Sequence, residues 1–130
     1  MREILFRCKR VGNYEWAYGF IVKMFGIYHI IDKDDENTAY EVIPETVGQD
    51  TGMKDENGKQ IFEGDIVKTS DITYEGVIQI PGESFEIAMR KGCWVMVAGE
   101  DWDFLGTNHE CIEVIGNIHD NFELLEETNS

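Results

Sequence analysis

Residues Glu45–Val67, ETVGQDTGMKDENGKQIFEGDIV, hold four glycines, six acidic residues and a Gly-Lys pair in one short segment. Glycine and acidic residues are this dense in phosphate-binding loops, in calcium loops and in the turns that connect β-strands. Each of these structures requires particular residue types at particular spacings. The segment can therefore be tested against each of them in turn.

A phosphate-binding P-loop places one glycine five residues before a Gly-Lys pair and a Ser or Thr directly after that pair. Here the pair is Gly58–Lys59, the residue five positions before Gly58 is Met53, and Gln60 follows the pair. No buried parallel strand is expected before the segment and no long helix after it. The segment therefore does not fit a P-loop.

A calcium-binding EF-hand loop needs oxygen ligands at alternating positions before a glycine, and a bidentate glutamate six residues after that glycine. Aligning the glycine with Gly58 places Asp55 and Asn57 at ligand positions. The first ligand would then be the thioether of Met53, and the last position would be Gly64. Calcium prefers hard oxygen ligands, so the segment does not fit this loop either.

Turn formation accounts for the composition of the segment. Asn57–Gly58 lies between two extended pieces, and both residue types tolerate the positive φ of the favoured two-residue hairpin turn. The other glycines are expected at tight bends, and Glu63–Asp65 at the corner before the next strand. The segment is therefore predicted to be a scaffold, with these structural residues: Gly48, Gly52, Asn57, Gly58, Gly64 and Asp65.

Apolar residues alternate with polar residues over most of the chain, which is the pattern of β-strands. In the second half, extended pieces at 61–69, 75–80, 84–90 and 93–98 are bounded by Gly, Asp or Ser. The sequence predicts a mainly β fold of antiparallel strands, with a small SH3-like barrel in the C-terminal half. An N-terminal β lobe precedes the barrel, and the tail DNFELLEETNS is expected to form one short helical turn.

The 130 residues are predicted to form a single domain, because this length is close to the commonest domain size. Its parts are a β lobe at about 1–44, a turn-rich connector at 45–60, the barrel at about 61–119 and a tail at 120–130. Pro44 ends the lobe because proline cannot donate a hydrogen bond to a β-ladder.

The quoted segment resembles the signature of the YopX family, small proteins carried by bacteriophages and prophages. The signature reads roughly Glu-Thr-Val-Gly-Gln-aromatic-Thr-Gly-apolar-Lys-Asp-x-Asn-Gly-Lys-x-Ile-aromatic-Glu-Gly-Asp-Ile-Val. This chain matches it at 45–49, 51–52, 54–55, 57–59 and 61–67. EWAYG (Glu15–Gly19) is similar to the N-terminal Trp-x-Tyr-Gly motif of the family. VIGNIHDNFELLEE (Val114–Glu127) is similar to its closing motif.

The resemblance covers most of the chain, and three positions depart from it. Asp50 stands where the family usually has an aromatic residue, His119 where tyrosine is common, and Phe122 where proline is common. The resemblance implies a mainly β fold and a phage or prophage setting. It does not indicate any particular biochemical activity.

The charge of the chain is strongly unbalanced, since 26 acidic side chains against 11 basic ones give a net charge of −15. Nucleic-acid binding relies on Lys and Arg side chains that displace condensed counterions, so no direct nucleic-acid contact is expected. The same charge is repelled by anionic membrane surfaces. It either maintains solubility or attracts basic partners, including proteins that normally hold DNA.

The sequence also predicts a cellular compartment. No apolar run reaches the roughly 20 residues that span a bilayer, and the first apolar segment is too short for a signal peptide. The cysteines, Cys8, Cys93 and Cys111, are odd in number and widely spaced, unlike the disulfide frameworks of secreted proteins. The protein is expected in the cytoplasm of a bacterial host cell, with reduced thiols.

His109, Cys111 and His119 are the candidate metal ligands, with Cys93 as a fourth donor. Imidazole and thiolate are the donors that zinc prefers. Structural zinc sites usually offer two pairs of ligands two to four residues apart, whereas here there is one His-x-Cys pair and an isolated histidine. Ordinary side chains are the favoured interpretation, so no metal, no cofactor and no catalytic residue is predicted.

The segment AGEDWDFLGTN, Ala98–Asn108, is expected to be a loop with large apolar residues among acidic ones. If exposed, Trp102, Phe104 and Leu105 would form a partner site, an apolar patch with a polar rim. If folded back, they would cover one end of the barrel. In the N-terminal lobe, core or oligomer contacts are expected for Trp16, Tyr18 and Phe20.

Three functions follow from these observations. The first is a phage- or prophage-encoded, non-enzymatic module that binds a protein or self-associates, as a homo-oligomer for example. The second is an acidic, DNA-mimicking inhibitor of a host nucleic-acid enzyme, suggested by the net charge. The third is a metal-assisted enzyme built on the acidic clusters or on His109 and Cys111. The sequence names no partner.

Overall fold

The structure is a computed structural model that describes residues 4–73, 76–79, 84–98, 101–105 and 112–124. The predicted mainly β class is confirmed, because these residues form antiparallel strands and a 3-10 turn at Pro44–Thr46. The strands are β1 (Phe6–Lys9), β2 (Trp16–Met24), β3 (Ile27–Asp32), β4 (Ala39–Glu41), β5 (Gly48–Lys54), β6 (Gln60–Phe62), β7 (Asp65–Thr73), β8 (Gly76–Gln79), β9 (Phe85–Arg90), β10 (Cys93–Ala98), β11 (Asp101–Phe104) and β12 (Ile112–Asn117). Within the described residues, no helix has the length and apolar character needed to cross a bilayer.

The chain divides into two compact units, called here the N-terminal unit (residues 1–50) and the C-terminal unit (residues 51–130). Strand β5 begins in the first unit and ends in the second. The four-part division expected from the sequence stays a prediction.

The N-terminal unit is a curled antiparallel sheet with the strand order β4-β3-β2-β1-β5. Beyond its strands, the chain after β4 returns to the end of β1 through a bridge between Arg10 and Val42. The amide of Ile43 donates to the carbonyl of Lys9 at 2.9 Å. The sheet therefore closes on itself around a small core.

The core of the N-terminal unit lies on one face of this sheet. Alternation along β2 turns Ala17 and Gly19 inward, where both are buried, and Tyr18 outward, where it is exposed. Cys8 is fully buried, and burial raises the pKa of its thiol to about 12, so the thiol stays protonated and packs as a small apolar group. The buried members of this core are Cys8, Ala17, Ile30 and Val42.

A close approach between β2 and β3 requires glycine at residue 19. Gly19 is paired with Asp32, and a Cβ atom built on Gly19 would overlap the backbone carbonyl of Ile31. The amide of Lys33 donates to the carbonyl of Tyr18 at 3.0 Å beside this contact. The clashing group is backbone, so a larger residue at this position must displace β3 itself.

Replacement of Gly19 by alanine should therefore lower the free energy of unfolding by about 2–3 kcal/mol, as overpacking of a rigid contact does. The measurement is urea-induced unfolding. The matched control is Gly26→Asn in the same hairpin, where a Cβ has open space and the φ of +79° suits asparagine. This control should change the free energy by less than about 1 kcal/mol. A Gly19→Ala protein as stable as the control would contradict the prediction.

The C-terminal unit is built on an antiparallel sheet with the order β11-β10-β9-β7-β12, and β8 pairs with β7. The strand expected over residues 61–69 is interrupted in the structure. Strand β6 ends at Phe62 and β7 starts at Asp65, because the chain turns at Glu63 and Gly64. The buried core residues are Ile61, Val67, Ile87, Met96, Leu105 and Ile112. Closure of this unit as an SH3-like barrel stays a prediction.

Two further expectations concern the end of this unit. The segment 98–108, expected as a loop, contains strand β11, in which Trp102 pairs with Val97 of β10. The sequence does not predict an edge strand at this position, because acidic residues alternate with the aromatic ones and lower its β-propensity. The expected helical turn at 120–130 lies partly outside the described residues, which end at Leu124, whose amide donates to the carbonyl of Asn121 at 2.9 Å.

Candidate functional site

The signature segment Glu45–Val67 begins with a 3-10 turn that is fixed to β1. The hydroxyl oxygen of Thr46 accepts a hydrogen bond from the amide of Lys9 at 2.8 Å. The same hydroxyl donates to the carbonyl of Ile43 at 2.7 Å. Thr46 is buried, so these hydrogen bonds are shielded from water. The threonine of the signature therefore positions the start of the segment.

The turn between β5 and β6 differs from the expected two-residue turn. The amide of Asp55 donates to the carbonyl of Lys59 at 2.8 Å, and the amide of Gly58 donates to the carbonyl of Asp55 at 3.0 Å. Gly58 has a φ of +81°, whereas Asn57 is not among the residues with positive φ. The loop thus has three residues, with glycine at the left-handed position that such loops require.

The carboxylate of Asp55 connects this hairpin to a strand 59 residues further along the chain. Its Oδ1 accepts hydrogen bonds from the amides of Asn57 and Lys59, both at 2.9 Å. Its Oδ2 accepts a hydrogen bond from the amide of Val114 in β12 at 3.0 Å. Next to it, the amide of Glu56 donates to the carbonyl of Ile112 at 2.8 Å. Both carboxylate oxygens of Asp55 are therefore used by backbone amides of the C-terminal unit.

Asp65 holds the second corner of the signature in a similar way. Its side chain is almost completely buried, and its Oδ2 accepts a hydrogen bond from the amide of Phe62 at 2.7 Å. At the same corner, the amide of Gly64 donates to the carbonyl of Ile87 at 2.8 Å, and the carbonyl of Gly64 accepts from the amide of Ile118 at 2.9 Å. The corner is thus joined to β9 and to the residue after β12.

The two remaining glycines of the predicted scaffold lie in β5. Gly48 is buried and pairs with Arg7 of β1. Gly52 is exposed and has a φ of +86°. Gly52 therefore adopts the left-handed conformation expected of a bend, and Gly48 is an ordinary strand residue.

The candidate metal ligands are only partly described. His109 and Cys111 lie outside the described residues, so the zinc hypothesis stays untested there. His119 is exposed, and its amide donates to the side-chain oxygen of Asn117 at 3.0 Å. In the described part of the chain, no three His, Cys, Asp or Glu side chains come together as a metal site.

The three apolar residues of the 98–108 segment have different environments. Trp102 is exposed on β11, which lies at one end of the strand order. Leu105 is buried and belongs to the core of the C-terminal unit. The side chain of Phe104 lies outside the described residues. The exposure of Trp102 fits a partner contact, whereas the burial of Leu105 fits a residue that covers the core.

The β2–β3 hairpin carries exposed apolar residues at its tip that the sequence motifs do not identify. Its tip is a two-residue turn in which Phe25 and Gly26 both have positive φ. Phe25 is fully exposed, and the apolar residues beside it, Met24, Ile27 and Tyr28, are exposed as well. A signal was present in the sequence, since residues 16–31 contain no acidic residue in a chain that has 26.

These observations define a small all-β protein whose signature side chains bind its own backbone. Residues 9–126 match the family model described as YopX protein. The chain therefore belongs to the YopX family, and the resemblance seen in the sequence is confirmed.

Among solved structures, the chain is similar to protein EF1440 from Enterococcus faecalis. The sequence identity is 26%, the TM-score is 0.62, and the match covers 96% of this chain and 99% of that chain. A comparison with curated proteins found no significant match.

The carboxylate of Asp55 should make stability depend on pH. Burial acts to raise its pKa, but the hydrogen bonds from Val114, Lys59 and Asn57, together with the charge of Lys59, lower it below its ordinary 3.8. Because the pKa of Asp55 is lower in the folded chain than in the unfolded chain, the ionised carboxylate stabilises the fold at pH values above the pKa of the unfolded chain. This stabilisation is lost as the pH falls through the pKa of the folded chain.

We expect Asp55→Asn to lower the free energy of unfolding at pH 7 by about 1–3 kcal/mol, because the new amide group replaces one acceptor oxygen with a donor that faces a backbone amide. The difference from wild type should shrink as the pH is lowered below 3.8, and urea unfolding over that range measures it. The control is Glu56→Gln at the exposed neighbouring residue, which should behave like wild type. A difference that stays constant with pH would count against the assignment.

Proposed function

We propose that this protein is a non-enzymatic protein-binding or assembly module, encoded by a phage or prophage and acting in the cytoplasm of a bacterial host. Membership of the YopX family supports the phage setting. The single observation that carries the proposal is the exposure of Met24, Phe25, Ile27 and Tyr28 at the tip of one hairpin.

Exposed apolar side chains in this number are not explained by folding. Burial of a phenylalanine side chain contributes roughly 1.5–3 kcal/mol, and Phe25 forgoes that gain in the isolated chain. Contiguous exposed apolar residues mark sites of interaction with other proteins. The signature carboxylates, Asp55 and Asp65, already bind backbone amides. The proposed binding surface is therefore the hairpin and not the signature.

The proposal predicts that the purified chain associates with itself or retains a host protein. Sedimentation equilibrium over a wide concentration range measures self-association. Affinity capture from host lysate, compared with an unrelated acidic protein of equal charge, measures retention of a partner. A strict monomer that retains no host protein beyond this control would contradict the proposal.

A second function, DNA mimicry, is favoured by the distribution of charge. Residues 51–130 contain 17 acidic and 5 basic side chains, a net charge of −12, whereas residues 1–50 contain 9 and 6, a net charge of −3. A concentrated negative surface attracts proteins that normally hold a phosphate backbone. In this alternative the C-terminal unit is the binding unit.

DNA mimicry predicts that a captured host protein is itself a nucleic-acid-binding protein, and that duplex DNA displaces it from this chain. Raising the salt from 50 to 200 mM should weaken the complex by about tenfold or more, because its affinity is electrostatic. Capture that is indifferent to both DNA and salt would exclude mimicry and leave the assembly proposal standing.

A further inference from the structure

One face of the β2–β3 hairpin belongs to neither core. The strand register places Phe20 opposite Ile31, Val22 opposite His29, and Met24 opposite Ile27. By alternation, these side chains share a face with Trp16 and Tyr18. None of these side chains is fully buried. We call this the hairpin face, defined by the following residues together with Phe25 at the tip: Trp16, Tyr18, Phe20, Val22, Met24, Ile27, His29 and Ile31.

The opposite face of the same strands already forms the core of the N-terminal unit. Ala17 and Ile30 are buried there, and Ile21 packs against them. No residue of the hairpin face is a member of either core cluster or of the partly buried apolar residues packed against the two clusters.

At one end of the hairpin face, Arg7 and Lys9 lie over the ring of Trp16, at 4.6 and 5.2 Å from its centroid. The strongly exposed apolar side chains of the face lie towards the tip, at Met24, Phe25 and Ile27.

The tip residue is unusual for the conformation that it adopts. Two-residue hairpin turns with positive φ at both positions favour Asn-Gly or Asp-Gly, because a large side chain is strained there. Phe25 has a φ of +54° and no burial to offset this strain. Aromatic side chains are, however, the preferred anchors of protein interfaces. Strain and exposure at Phe25 both fit a residue that packs against another molecule.

The charge pattern identifies that molecule. A stretch as long as residues 16–31 would contain about three acidic residues at the average frequency of this chain, and it contains none. Two copies of a chain with net charge −15 repel each other wherever acidic surfaces meet. Two copies that pack through the hairpin face would not bring carboxylates of this face together, because residues 16–31 contain none. Depletion of Asp and Glu with enrichment of aromatic residues and Met is also the composition of an interface core.

We propose that the hairpin face is the contact between two copies of this chain, arranged face to face about a two-fold axis. The two-fold arrangement places the same apolar patch on both sides. A head-to-tail contact would instead bury the carboxylates of the other copy against apolar side chains, which is unfavourable without paired charges. This inference rests on the proposed assembly function and adds to it the surface and the partner.

The test uses the full chain and two variants of the face, measured by sedimentation equilibrium. Phe25→Asn replaces the strained residue with one that the turn prefers, so the fold is kept or stabilised while the anchor is lost. Met24→Glu places a carboxylate in the acid-free face. We expect the dimer dissociation constant to rise by about tenfold for Phe25→Asn and by about a hundredfold for Met24→Glu.

The matched control is Tyr14→Asn. Tyr14 is also an exposed aromatic residue at positive φ in the N-terminal unit, but it lies outside the hairpin face. Its replacement should change the dissociation constant by less than about twofold. At a concentration low enough for both proteins to be monomeric, thermal unfolding should show Phe25→Asn at least as stable as wild type. Moderate salt should leave wild-type dimerisation unchanged or strengthen it, because salt screens repulsion between the acidic copies.

Dimers that are unaffected by both face variants would overturn this inference and leave the assembly function standing. A monomeric wild type whose host partner is lost in Phe25→Asn would also overturn it, because the face would then serve a foreign protein. A monomer without any partner would remove both this inference and the proposed function.

Discussion

The arrangement of the signature depends on the hydrogen bonds that the carboxylate of Asp55 accepts from backbone amides. This one side chain accepts hydrogen bonds from the amides of Asn57 and Lys59 at the β5–β6 turn and from the amide of Val114 in β12. These groups lie far apart in the sequence. A carboxylate is suited to this position because each oxygen has two lone-pair directions, so several donors are satisfied at once. The aspartate that suggested a calcium loop therefore serves the backbone of its own hairpin and of a distant strand.

The same constraint recurs at the second corner and explains why the signature is so rich in glycine and acid. Asp65 accepts from Phe62, and Gly64 exchanges hydrogen bonds with Ile87 and Ile118. Polar groups at buried corners must be satisfied internally, since water cannot reach them. Among the described residues, the stretch 16–31 lacks carboxylates and exposes apolar side chains at the hairpin tip, whereas residues 51–130 of the sequence carry most of the net negative charge. The two proposed functions place the binding surface at one or the other of these regions.

Much of the fold could be predicted from the sequence, because strand alternation and turn residues are local signals. The turns themselves were harder to assign. Two-residue turns with positive φ at both positions occur at Phe25–Gly26 and Lys91–Gly92, whereas Asn57–Gly58 lies in a three-residue loop. The difference lies in the register, since the amide of Asp55 pairs with the carbonyl of Lys59 while its carboxylate accepts a hydrogen bond from Val114 of β12. Turn propensity at two residues cannot contain this information.

The sequence by itself determined the all-β class and the family, because alternation is set residue by residue and the signature is a continuous motif. Only the tertiary structure decided that Leu105 is core while Trp102 is exposed, and that the Asp55 carboxylate reaches Val114. It also decided which face of β2 lies on the core, since both faces carry apolar residues and the face with the smaller ones, Ala17 and Gly19, is the buried one. Burial and long-range hydrogen bonds depend on neighbours that are distant in the chain, so no local pattern encodes them.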